Sequence, residues 1–248
     1  MKRILASSAL ALSMAAAPLA AFDLGSMSEE ERAAFRAEVR AYLLDNPQVI
    51  MEAVAVLEER QAAAQAAGDV ALVAAHAEAI FDDGFSWVGG NTEGDITLVE
   101  FVDYRCGYCR KAHDDVAELV KSDGNIKLIV KEFPILGEAS MASSRFAVAM
   151  KQLHGADAYK QAHDALISMR KDPSEKALSK LAKSLGFDGA EVVARMQSEE
   201  VTAELAATQK LARALQISGT PTFVMKDELL RGYLPLENMR ALVADKRG

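Results

Sequence analysis

The segment from Thr97 to Phe133 constrains this chain more than any other. Thr97-Leu98-Val99-Glu100-Phe101-Val102 is an apolar, β-rich run. It passes through Asp103-Tyr104-Arg105 into Cys106-Gly107-Tyr108-Cys109, and a helical pattern then continues to about Lys121. Asp123-Gly124-Asn125 turns the chain into a second apolar run, Ile126 to Phe133. Strand, helix, strand at this spacing is a βαβ unit, which demands a parallel pair in a sheet with the helix on its face.

The chain has 2 cysteines in 248 residues, and both lie where that helix begins. A loop closed by residues only three apart is too small to stabilise a fold by restraining the unfolded chain. Their purpose is therefore chemical. The first turn of a helix has backbone N–H groups without helical partners, and the positive end of the helix dipole adds to them. Both favour a thiolate at Cys106, which makes it the expected attacking sulfur. Cys109, one turn further in, is the expected resolving thiol. Side chains three apart on a helix lie ~5–6 Å from one another, so the pair can pass between dithiol and disulfide with little backbone movement. A rival reading makes the cysteines half of a zinc site, with His113 as third ligand in Cys-x2-Cys-x3-His. A structural zinc site takes four ligands, commonly with a second cysteine pair, and the sequence has none. His76, His154 and His163 are scattered helical positions without ligand spacing. No cofactor is implied.

The start of the chain reads as an export signal over residues 1–21. Lys2 and Arg3 precede an apolar run from Ile4 to Ala17, and Ala15 to Ala21 is small and alanine-rich. The run is shorter than the ~20 apolar residues a spanning helix needs. Such a signal sends the chain to an oxidising compartment, most simply a bacterial periplasm. The net charge of −8, with no basic block, excludes a nucleic-acid partner.

Residues 22–82 read as a helical N-terminal segment. Ser28-Glu29-Glu30-Glu31 is a capping box, and Asn46-Pro47 ends one helix and starts the next, with Asn46 as its N-cap. Ile50, Ala53, Val54 and Leu57 form an apolar stripe narrow enough to suit a helix bundle between chains. Gly68 is expected to end this second helix, and a third runs from about Asp69 to Phe81. Residues 83–248 read as an α/β domain. Phe85 to Val88 is a short strand, Gly89-Gly90-Asn91 is a turn, about 138–215 is helical, and Gly219 to Met225 follows with Thr222-Phe223-Val224 as a strand. Lys226-Asp227 then turns the chain into a hairpin partner from Leu229 to Gly232, and a closing helix starts at Pro235.

Val99-Glu100-Phe101 before Cys106-Gly107-Tyr108-Cys109, together with Gly219-Thr220-Pro221-Thr222-Phe223, resembles the DsbA-type branch of the thioredoxin superfamily. The resemblance covers roughly 84–248. It implies a thioredoxin fold with an inserted helical domain, and a thiol–disulfide oxidoreductase. It also implies that Pro221 is a cis-proline opposite the cysteines, with the Thr220 backbone aimed at a bound peptide. Glu100 would be the buried acid that shuttles the proton of Cys109, with Lys131 as its charge partner. The Gly107-Tyr108 dipeptide and Thr220 look more like the disulfide isomerases than like the oxidase with Pro-His between its cysteines. Tyr42-Leu43-Leu44-Asp45-Asn46-Pro47 and Val49-Ile50-Met51-Glu52 resemble the stalk of the ScsC-like proteins, which serves to oligomerise. The expected function is an isomerase or reductase. A monomeric oxidase is the alternative, and a non-enzymatic chaperone or copper-binding dithiol protein is more remote. The implied partners are exported client proteins with cysteines, a membrane redox partner of the disulfide pathway, and further copies of this chain.

Overall fold

A computed structural model describes residues 25–248, so the export signal expected over 1–21 lies outside the described residues. The chain divides into two compact units, Met1–Glu59 and Arg60–Gly248.

In the first unit, helix α1 (Glu29–Asp45) starts on the expected capping box. Ser28 Oγ accepts from the Glu31 N–H at 3.2 Å, and the Glu31 carboxylate accepts from the Ser28 N–H at 2.8 Å. Asn46 acts at the other end of α1 rather than as the N-cap of the next helix. Its backbone N–H and its Nδ2 both donate to the Tyr42 carbonyl, at 2.8 and 2.9 Å. Helix α2 then runs unbroken from Gln48 to Ala75, 28 residues, and a short α3 (Ala77–Phe81) follows. The expected stop at Gly68 does not occur. A glycine costs a helix only about 1 kcal/mol relative to alanine, and the alanines and long side chains on both sides of Gly68 carry the helix through it. Among the described residues no helix is long and apolar enough to cross a membrane.

The second unit is built on a five-stranded sheet: β1 (Trp87–Gly90), β2 (Ile96–Val102), β3 (Ile126–Glu132), β4 (Thr222–Met225) and β5 (Glu228–Arg231). Their order is β1-β3-β2-β4-β5. β2 and β3 are parallel, as the βαβ reading requires, and the other neighbours are antiparallel. Strand β1 continues through Gly89 and Gly90, where the sequence suggested a turn. The Trp87 ring lies over Gly89 so closely that a Cβ there would meet it at 2.1 Å, so the strand needs glycine at that point.

Helix α4 (Gly107–Asp123) makes the crossover between β2 and β3. Five helices intervene between β3 and β4: α5 (Glu138–His154), α6 (Ala156–Ser168), α7 (Glu175–Ser184), α8 (Gly189–Met196) and α9 (Glu199–Ala214). Helix α10 (Leu236–Arg247) closes the chain. Two apolar cores lie on the two faces of the sheet, because alternate strand residues point to opposite sides. Leu98 and Val102 join Cys109, Ala112, Phe146 and Tyr159 in one. Val99, Phe101 and Ile129 join Leu211 and Leu215 in the other.

Candidate active site

Cys106 is the N-cap residue of α4, in extended backbone conformation, so its side chain lies at the open end of the helix. Its Sγ donates to the Thr220 carbonyl at 3.0 Å. The Thr220–Pro221 peptide bond is cis. Two segments more than a hundred residues apart in sequence thus meet at one sulfur. Cys109 is fully enclosed. Burial, and then the field of Glu100, push its thiol well above the ordinary range. The two sulfurs are chemically unequal by position alone.

The loop that delivers Cys106 hangs on Asp103, which sequence reasoning did not single out. Its buried carboxylate accepts from the Arg105 N–H at 2.8 Å and from Ser140 Oγ at 2.7 Å. It also accepts from the N–H groups of Ile135 and Leu136, at 2.8 and 3.0 Å. The Cys106 N–H donates to the Asp103 carbonyl at 3.1 Å. An aspartate able to accept from the backbone two residues on, in the loop that leads to the cysteines, was the available signal. Around the thiol the surface is partly apolar. Tyr108 is exposed and stacks on Tyr233, with ring centroids 6.4 Å apart, and Leu136 is exposed as well.

Glu100 lies on β2 between Leu98 and Val102 and shares their face, the one covered by α4. Burial raises its carboxyl to about 7, His113 opposing and Glu132 reinforcing the shift. Lys131 is not its partner. In the β2–β3 register Glu100 stands opposite Val130 and Lys131 stands opposite Phe101, so the lysine points to the other side of the sheet. There Lys131 Nζ forms an ion pair with Asp83 and donates to the Ala79 carbonyl at 2.9 Å and to Ser86 Oγ at 3.2 Å.

The residue that shares the Glu100 face on β3 is Glu132. Its Oε1 accepts from the hydroxyls of Tyr104 and Tyr159, each at 2.6 Å, and burial raises this carboxyl too to about 7. His163 Nδ1 lies 3.0 Å from the Tyr104 hydroxyl. Burial, with His113 adding to it, pushes the His163 imidazole down to about 3, so the ring is neutral. The zinc grouping of Cys106 and Cys109 with His113 is not formed. Among the described residues His113 groups instead with His163 and Asp164.

Residues 97–244 match the DSBA-like thioredoxin domain. The chain belongs to that family. Residues 31–64 match the N-terminal domain of the copper resistance protein ScsC. A thioredoxin-like oxidoreductase from Silicibacter pomeroyi is 38% identical with a TM-score of 0.63, over 68% of this chain and 96% of that one. The thiol:disulfide interchange protein DsbA of Bordetella parapertussis is 27% identical over 54% of this chain. A Na+/H+ antiporter, NhaA 3, of Salinispora tropica is 25% identical over 63% of it. The chain spans 65% of the former's length and 24% of the latter's.

Proposed function

We propose that this chain is an exported protein thiol–disulfide oxidoreductase, acting as isomerase or reductase on exported clients with cysteines. Cys106 attacks the client disulfide, and a mixed disulfide forms as the client's other sulfur leaves as a thiolate. Cys109 then attacks Cys106 Sγ, releasing the reduced client sulfur and closing the Cys106–Cys109 disulfide. Glu100, on the face covered by α4, takes the proton of Cys109 as that thiol becomes a nucleophile. Thr220 and Pro221 supply the backbone against which the client strand lies. Asp103 is a positioning residue. A membrane redox partner returns the pair to the dithiol.

The single observation that carries this reading is the meeting of Cys106 Sγ with the Thr220 carbonyl beside Pro221, above a fully buried Cys109. Trapping thiols in cells tests it. An isomerase or reductase keeps Cys106 and Cys109 reduced at steady state, whereas a pair held as disulfide would make the protein an oxidase. Cys106→Ser should lose insulin reduction to background. Protection of clients that survives loss of both cysteines would favour a chaperone.

Residues 22–82 act in this reading as an oligomerisation segment, and 83–248 as the catalytic domain. Helix α1 buries none of its residues, and Phe35, Val39, Tyr42 and Leu44 are exposed on it. Ile50, Met51, Val54 and Leu57 are exposed on the first half of α2. So much apolar side chain in water favours covering by other copies. Several redox sites then face one misfolded client at raised effective concentration, which suits an isomerase. Light scattering on the mature protein should give a multiple of the chain mass. A single-chain mass would remove the oligomer from the proposal.

A further inference from the structure

The cluster that joins α4 to α6 behind the cysteines has a composition that thiol chemistry does not call for. His113 comes from α4 and His163 and Asp164 from α6, and one ligand atom from each lies within 4.8 Å of the other two. The His113 and His163 rings are 5.2 Å apart between centroids, and His113 Nε2 is 3.3 Å from Asp164 Oδ1. We propose that these three side chains form a binding site for a divalent transition-metal ion such as Zn2+.

Two features separate this cluster from an ordinary surface ion pair. The first is that His163 is held from behind. The Tyr104 hydroxyl has one proton, and its shorter bond, 2.6 Å, runs to the Glu132 carboxylate. His163 Nδ1 must therefore donate across the 3.0 Å contact to the Tyr104 oxygen, and Nε2 keeps its lone pair. A chain of carboxylate, phenol and imidazole is the kind of outer support that fixes the tautomer and orientation of a metal-ligating histidine. The second is access. His163 is enclosed, whereas the Asp164 side chain is 43% exposed, which leaves a solvent-facing side for a water ligand.

Two imidazoles, one carboxylate and an open position suit zinc and its neighbours in the first transition row. Calcium and magnesium, which favour oxygen ligands, are poorly served. Lys160 competes, since its Nζ lies 2.7 Å from Asp164 Oδ1 and 2.6 Å from Oδ2, and binding must displace it. The site is independent of the redox proposal, because neither cysteine belongs to it.

The test uses the full mature protein, free of any tag, with Cys106→Ser and Cys109→Ser to remove thiol ligands. Zn2+ is titrated alone against a chromophoric chelator. One Zn2+ per chain is expected, together with a rise in the thermal midpoint that grows with free Zn2+. His113→Ala on the same background, a change on a partly exposed helix face, should weaken binding at least about tenfold. Tyr104→Phe, which touches no metal, should weaken it by about ten- to a hundredfold, the usual effect of losing such a support. Absence of binding in the cysteine-free protein overturns the proposal. Binding that is unchanged by His113→Ala does so equally.

Discussion

On one face of the sheet the buried Lys131 ammonium meets Asp83, Ser86 and the carbonyl of Ala79. On the other face Glu100 and Glu132 are equally buried, yet among the described residues neither forms a salt bridge. Glu132 takes its bonds from two phenols, and Glu100 feels chiefly its own burial. The first face has settled its charge and has nothing to exchange. The second holds two carboxyls raised to about 7, so each gains or loses a proton at little cost near neutrality, while the Cys109 thiol, raised much further, keeps its own until it reacts. Chain tracing alone would not separate the two faces. Protonation does.

The largest effect should come from Lys131→Met, which leaves Asp83 without its cation. Loss of one partner from a buried pair costs ~3–5 kcal/mol, read as a shift of the urea midpoint. Thiol exchange per folded molecule should be unchanged. A variant that kept its stability but lost exchange would put Lys131 back in the site and break the contrast between the faces.

Glu100→Gln should act through pH. A carboxyl whose folded pKa is raised from 4.5 to about 7 binds more protons in the folded than in the unfolded chain across that interval. Its contribution is therefore complete below pH 4.5 and is lost as pH rises through about 7. Glu132 has the same sign. His163 has the opposite one: held down to about 3, it contributes fully above 6.5 and loses that contribution as pH falls. Relative to the parent, Glu100→Gln should gain stability between pH 5 and pH 8, by about 2–3 kcal/mol at ~1.4 kcal/mol per pKa unit. Urea titrations at the two pH values measure it. A parallel pH dependence in parent and variant would mean that Glu100 is ionised throughout.

The smallest of the three is Tyr159→Phe, which removes one of two hydroxyls from the Glu132 carboxylate. A hydrogen bond to a charged group contributes about 1.5–3 kcal/mol, and the neutral carboxyl that Glu132 can become puts the loss at the low end. The loss should be larger at pH 8 than at pH 5, and its absence at both would show that Tyr104 alone satisfies the carboxylate.

The parts of the site that lie in short motifs were legible in the sequence. Cys106 and Cys109 could be paired because the chemistry needs a fixed spacing at a helix start, whereas Thr220 and Pro221 were set opposite them only through the resemblance to the DsbA-type branch. The parallel β2–β3 pair was equally plain, since a helix between two apolar runs leaves few alternatives. What could not be read was which way a side chain faces across the sheet. Lys131 and Glu132 are consecutive at the end of β3, so one had to face each side. That parity shows that two buried charges exist, but only the register of β3 against β2 shows that Glu132, and not Lys131, shares the side of Glu100. Tyr104, Tyr159 and His163 were hidden for a different reason. They come from a loop and an inserted helix, and only packing brings them to Glu132. Gly68 misled because a local penalty near 1 kcal/mol is small beside the cooperativity of a long alanine-rich helix.

The indole of Trp87 is the only one in the chain, and it stacks on Tyr159 at 5.6 Å while its Nε1 donates to the Ala156 carbonyl at 3.0 Å. Tryptophan fluorescence therefore has a single emitter, stacked on the phenol that binds Glu132. Its quantum yield should follow the ionisation of that carboxyl, giving an optical titration without any label. The same emitter lies outside the first compact unit. Unfolding of the helices in that unit would register in far-ultraviolet circular dichroism without a matching change in tryptophan emission, so two optical channels divide the unfolding of this protein by unit.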